Sequence, residues 1–488
     1  MQNTSKGSYI QGQFLKSKDP NAEIKSKNPG NLAAPAMLFE VSYEQINDAV
    51  SSAQRSFEKW KKTSLAERKN QIVKYKELLA KNSQALAETI TFEVGKPLWE
   101  SQEEVKETLK LIEYFILEAD KILLEGKKTV WLPKGVIGVT SPANRPLFYA
   151  HHYLIPSILA GNTVVLKSSK VAPQVGQSIA EVFHESGLSA GVFNLVHGDA
   201  EVARRLCAQS NIQTVFFSGS FETAVKIQKQ MSNEYWKVLV LDLGGKNSTI
   251  IWDDANYEKA LRETLYSCYI TSGQRWTSCN RIFVHEKIFD KFLSDFHTLA
   301  KQLKVDLGSL PEQPFMGPLV SESAQENFIR YQGIAVREGA TEVMRGKLLD
   351  RNYKGYYVSP SIHYVENANT KSIYETGEIF GPDAAIYKIS DLDETISLLN
   401  QSVFGLVGAV YTAQKDIVGR LLEDWQVGTL FCNTPTTQIP YWLPLGGIKK
   451  SGNSRLLGSH TFYQVTYPKS LCEKEKEEFY LPNSLPSL

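Results

Sequence analysis

Between residues 135 and 252 the chain repeats one pattern, a short run rich in β-branched residues followed by a turn and, between most runs, a helical stretch. The runs are GVIGVTS (135–141), NTVVLKS (162–168), GVFNLV (191–196), QTVFFS (213–218), KVLVLD (237–242) and STIIW (248–252). They are nearly continuous apolar stretches, the signature of strands covered on both faces. Helical segments separate most of them, and one, PQVGQSIAEVFHESG (173–187), ends in Gly187, a good C-cap. Strands and helices alternating over about 20–30 residues predict βαβ units and a doubly wound α/β fold with a parallel sheet. Ligands of that class sit at the carboxyl ends of the strands.

The flanks differ. The first third reads as helices. Ser42 with Gln45 predicts a capping box ahead of an apolar stripe at Ile46, Val50, Ala53, Phe57 and Trp60. Ser64 with Glu67 predicts a second start, and residues 99–123 a third helical stretch, with a Gly95-Lys96-Pro97 break before it. From about 250 to 445 helices and strands mix again, with RIFVH (281–285) before a helix carrying Phe289, Phe292, Phe296 and Leu299. The tail holds an alternating run, FYQVTY (462–467), and the charge run EKEKEE (473–478), read as a solvated surface segment. The 488 residues suit roughly three structural units at about 150 residues each.

Composition removes several function classes. With 54 Lys+Arg against 53 Asp+Glu, the chain has no basic footprint for nucleic acid or anionic lipid. Its five cysteines are scattered and form no C-x-x-C pair, so neither a disulfide framework nor a metal site is expected. No run resembles a signal peptide or a membrane span, which makes the cytoplasm the expected compartment.

The candidate functional residues lie in an ordered set of short motifs: SPANRP (141–146), AGNTVVLKSSKVAP (160–173), FSGS (217–220), LDLGGKN (241–247), SGQRWTSCNR (272–281), EIFGP (378–382) and LGGIKKSG (445–452). In this order and spacing the set resembles the NAD(P)-dependent aldehyde dehydrogenase superfamily. GKPLWE (95–100) and SGNSR (451–455) make the chain most similar to succinylglutamate semialdehyde dehydrogenases. The resemblance implies a cofactor domain (1–123 and 141–248) interleaved with an α/β catalytic domain (249–445). A small β oligomerisation element (124–140 and 446–488) completes it, and a homodimer or homotetramer is expected.

In this family a cysteine thiolate attacks the aldehyde, hydride passes to the nicotinamide, and a glutamate base helps water release the acid. The resemblance assigns Asn144 to the oxyanion amide and Lys167 to the adenosine ribose. Gly219 and Ser220 fall at the pyrophosphate turn, with Ala224 where a second glycine is common. Gly244 and Gly245 fall at the close backbone approach, and Glu378 and Phe380 at the nicotinamide riboside. Lys170 stands where many NAD-using members have a glutamate, and an ammonium attracts a 2′-phosphate, so NADP is expected to bind at least as well as NAD.

Two positions depart from the family. Trp276 occupies the nucleophile position of G-Q-x-C, and indole offers no thiolate-like lone pair. Asp242 occupies the general-base position, one methylene short. Cys279 offers a weak alternative nucleophile, sharing a face with Trp276 if the segment is helical. The expectation is an aldehyde dehydrogenase scaffold, ancestrally oxidising a carboxylated semialdehyde, that is inactive or impaired. The alternatives are a non-catalytic NAD(P)-binding interaction subunit, or an active enzyme that uses Cys279.

Overall fold

A computed structural model of the chain describes residues 5–17, 19–124, 128–472, 484 and 486. Two seven-stranded sheets dominate. The first runs in the order Val238–Leu243, Ile212–Gly219, Val136–Thr140, Thr163–Lys167, Phe193–Val196, Ser8–Ile10 and Gln13–Leu15. Its first five strands are parallel, and the two N-terminal strands join antiparallel at one edge. The apolar runs of the sequence are therefore the parallel strands, flanked by helices such as Pro173–Ser186, whose C-cap Gly187 is left-handed at φ 72°.

The second sheet runs Thr341–Met344, Ser361–Val365, Asp383–Ile389, Cys279–His285, Asn247–Ile251, Val407–Tyr411 and Thr429–Cys432, antiparallel only at its first pair. Gly244, Gly245 and Lys246 alone link the last strand of the first sheet to the first strand of the second. Register then fixes what meets there. Asp242 pairs with Ser218 and Leu243 with Gly219, while Thr140 lies between Lys167 and Phe217. The carboxyl ends of four strands in the first sheet thus converge on the amino ends of the central strands of the second, where Asn247 pairs with Cys279.

Several sequence expectations change. Residues 8–41, read as part of a helical third, hold four short strands: Ser8–Ile10, Gln13–Leu15, Ala22–Ser26 and Met37–Val41. The helix Glu44–Trp60 buries Ile46, Val50, Ala53 and Trp60, but no capping box forms at Ser42. The Gln45 side chain instead donates to the Leu15 carbonyl. Ser64 does cap Leu65–Lys81, accepting from the Glu67 N–H. A separate helix, Ser83–Val94, precedes the left-handed Gly95.

The tail run FYQVTY is not one strand. His460–Val465 is a helical turn that buries Phe462 and Val465, three apart, against Phe115 and its neighbours. The strand begins only at Thr466 and pairs antiparallel with Thr129–Pro133. Val136–Thr140, assigned from sequence to the oligomerisation element, lies in the middle of the first sheet instead. Its five residues are all buried, and only a position inside the sheet covers both faces. The charge run at 473–478 lies outside the described residues.

Candidate active site

Asn144 sits in the turn between Val136–Thr140 and the wholly buried helix Pro146–Leu159. Pro146 opens that helix at a position where the missing N–H costs nothing. The next two free N–H groups, of Leu147 and Phe148, donate to Glu104 Oε1 at 2.9 and 3.0 Å. A carboxylate from the helix Leu98–Leu123 thus caps the helix behind Asn144. The Asn144 amide is buried, accepts from the Arg145 N–H through Oδ1, and donates from Nδ2 to the Gln274 carbonyl at 3.0 Å.

Residues 271–278 form a strained loop. Thr271, Ser272 and Gly273 are all left-handed, at φ 55°, 53° and 70°. Such non-glycine conformations cost about 1–3 kcal/mol each and persist only where the surroundings over-determine them. Here Glu100 accepts from the Thr271 N–H, the Thr271 hydroxyl and Arg275 Nη2, and the Ser272 hydroxyl donates to the Gly317 carbonyl. A Cβ on Gly273 would lie 2.2 Å from the Gly381 carbonyl oxygen, so this position admits only glycine.

At the end of this loop Trp276 is buried, its ring 4.7 Å from that of Tyr149 and tilted by 43°. Asn247 Nδ2 donates to the Trp276 and Ser278 carbonyls. The helical face that would join Trp276 to Cys279 does not exist. Residues 276–277 form a turn and Cys279 begins a strand. Its fully buried thiol donates to the Arg281 carbonyl at 3.4 Å. Burial pushes the neighbouring Cys268 thiol far up and keeps it protonated, as a donor toward Cys279.

Asp242, the next-to-last residue of the strand Val238–Leu243, is buried as well. Burial pushes its carboxyl up to about 6, against the pull of the Tyr153 hydroxyl, which donates to Oδ2 at 3.0 Å. The same hydroxyl bonds Ser218 Oγ at 2.7 Å, and the Tyr153 ring stacks on Phe216 at 4.6 Å. Asp242 is thus tied to the adjacent strand.

The candidate cofactor residues cluster at the strand ends. Lys167 closes its strand and is buried; burial brings its ammonium down to about 8, with Asp199 opposing. Lys170 lies exposed three residues on. Gly219 ends Ile212–Gly219, and Ser220 caps the helix Phe221–Met231 through the Thr223 N–H. Such a helix start, backed by Ala224 packed at 1% exposure, is a ready anion site. A Cβ on Gly244 would fall 1.8 Å from Glu378 Oε1, so the carboxylate lies directly over the glycine backbone. Burial raises Glu378 to about 7, opposed by the Gly245 N–H and Lys246. Phe380, at φ 54°, and the Gly381-Pro382 turn follow it. A cationic group, a helix start and an acceptor over bare backbone together fit a dinucleotide.

Sequence reading passed over Arg145, Tyr149, Tyr153 and the carboxylates Glu100, Glu104 and Glu107. The acidic set was visible as spacing: 100, 104 and 107 fall on one helical face, pointing at the site. Tyr149 and Tyr153 carry no such signal.

The aldehyde dehydrogenase family profile matches residues 14–471. The chain is 32% identical over 483 residues to an N-succinylglutamate 5-semialdehyde dehydrogenase of Legionella pneumophila (strain Corby), covering 96% of this chain and 95% of that protein. A Burkholderia cenocepacia (strain HI2424) protein of the same name is 29% identical over 486 residues, with 98% of each chain covered. Among solved structures, a point mutant of betaine aldehyde dehydrogenase from Staphylococcus aureus, in complex with NAD+, superposes with a TM-score of 0.90 at 28% identity. That match covers 96% of each chain.

Proposed function

The chain belongs to the aldehyde dehydrogenase family, and we propose that within it this protein binds NAD(P) but oxidises aldehydes poorly or not at all. Trp276 carries the reading. A buried indole, packed on Tyr149 beside the loop bonded to Asn144, stands where the family has its thiolate, and it can form no bond to a carbonyl carbon. Asp242 supports it, since its carboxylate is one methylene shorter than a glutamate and the Tyr153 hydroxyl engages Oδ2. Cys279 offers little rescue from a sealed strand position.

The nicotinamide, when bound, supplies hydride acceptance. What this chain contributes is placement: Lys167 and the Ser220 helix start for the adenosine and pyrophosphate end, Glu378 over Gly244 for the nicotinamide ribose. The exposed Lys170 favours NADP by attracting a 2′-phosphate. Carboxylated semialdehydes are the substrate class to try, in view of the relatives' names. The small sheet of Thr129–Pro133 and Thr466–Ser470 carries exposed Val130 and Tyr467, which supports pairing with a second copy. Free cysteines, three of them buried, suit a reducing cytoplasm.

The deciding measurement pairs cofactor binding with turnover. Fluorescence titration should show saturable NADP and NAD binding, while N-succinylglutamate 5-semialdehyde gives no reduced cofactor and no acyl-enzyme burst. Robust oxidation abolished by Cys279→Ala would make Cys279 the nucleophile and overturn the reading. Light scattering should report a dimer or tetramer.

A further inference from the structure

Six charges are packed beside the candidate site: Lys96, Arg145 and Arg275 against Glu100, Glu104 and Glu107. Glu104 is fixed by Lys96 and by the N–H groups of Leu147 and Phe148. Glu100 is fixed by Arg275 and Thr271. Arg145 is different. Its Nη2 pairs with Glu107, but among the described residues its Nε and Nη1 are buried with no hydrogen-bond partner. An orphaned buried donor costs about 1–3 kcal/mol, more on a charged group. Glu107 is the outermost of the six, its side chain 35% exposed against 1% for Arg145. The carboxylate has a route to water and the guanidinium has none.

We propose that Arg145 anchors a carboxylate on a ligand of this site, and that Glu107 stands in for that carboxylate in the ligand-free chain. The proposal rests on the site lying at Asn144 and Trp276, and not on any turnover there. Arg145 directly follows Asn144 in the turn that opens the helix Pro146–Leu159, so the anchor and the candidate oxyanion amide are carried by one turn. The Phe148 ring, 4.1 Å from the guanidinium carbon, holds the fork in place. Burial pulls Arg145 down, but Glu107 and Glu104 hold it above its ordinary value, so the anchor stays charged.

The charge count favours exchange over addition. Three cations cancel three carboxylates. A ligand carboxylate that displaces Glu107 into water keeps the balance, whereas one added beside it would leave a buried unpaired anion. The ligand class is a short mono- or dicarboxylate, and a neutral isostere lacks the charge to compete.

Succinate, with its neutral diamide succinamide as control, tests this by calorimetric titration of the full chain without any chemistry. Succinate should bind saturably and succinamide should not. Glu107→Gln removes the internal competitor and should tighten succinate at least tenfold; binding by this variant alone would equally support the proposal. The double variant Arg145→Met/Glu107→Gln keeps the cluster neutral, should fold and bind NADP, and should lose succinate. No succinate binding by either the unmodified chain or Glu107→Gln would overturn the proposal. So would weaker binding by Glu107→Gln, or undiminished binding by the double variant. A working aldehyde oxidation assay would defeat the functional reading above and leave this result untouched.

Discussion

The cofactor-side strand ends and the loop around Trp276 lie at the same junction between the two sheets, yet their side chains are held in very different ways. On the cofactor side Lys167, Gly219, Ser220, Gly244 and Glu378 sit at or beside strand ends in a geometry suited to a dinucleotide. On the other side the strained backbone at 271–273 is fixed by Glu100 and Gly317, with the Trp276 ring packed on Tyr149 and Asp242 bonded to Tyr153. The left-handed residues of the loop are held by Glu100 and Gly317, and Trp276 is held through its own carbonyl by Asn247 and through its ring by Tyr149.

The sharpest way to break this contrast is to restore the reactive groups. Trp276→Cys should raise aldehyde oxidation from background to a measurable rate, limited by slow thioester hydrolysis. Adding Asp242→Glu should speed that deacylation step by about 10²–10⁴-fold, the usual worth of a placed general base. Stopped-flow burst amplitudes checks both; no gain from either variant would show that the loop, and not its side chains, has lost competence.

The next effect probes the retained scaffold. Gly273→Ala forces a Cβ to within 2.2 Å of the Gly381 carbonyl at a left-handed residue. It should cost about 2–3 kcal/mol in urea unfolding, although the position touches no proposed ligand.

Asp242 then separates burial from function. Its pKa of about 6 in the folded chain lies above the ordinary 3.8. A raised carboxyl binds its proton more tightly when folded. Its stabilising share is complete below about pH 4 and is lost as pH rises through about 6. Asp242→Asn should therefore remove about 2 kcal/mol of the stability decline between pH 4 and 8, read by denaturant melts across that range. An unchanged decline would place Asp242 in water.

The smallest expected effect is on cofactor choice. Lys170→Glu should shift the NADP/NAD affinity ratio about tenfold toward NAD, or about 1.4 kcal/mol. NAD binding tenfold tighter than NADP in the unmodified chain would remove the role given to Lys170. Binding of either cofactor should also weaken above about pH 8, where Lys167 loses its proton.

The sequence by itself determined the parallel strands, because residues covered on both faces must be apolar throughout, and Val164, Val165 and Leu166 leave no other reading. It also determined the glycine turns and the candidate cofactor residues, since those are local motifs at strand ends. It misread FYQVTY, where the alternation of Tyr463, Val465 and Tyr467 competes with the three-residue spacing of Phe462 and Val465, and only the packing partner Phe115 decides between them. It left open whether Trp276 and Cys279 share a helical face, because a turn as short as 276–277 carries no period. Tertiary structure alone decided that Tyr153 ties Asp242 to Ser218, that Tyr149 meets Trp276, and that Arg145 faces Glu107. Those contacts join residues 38 to 127 positions apart, and no periodicity or spacing rule reaches across separate elements to say which side chains a fold will bring together.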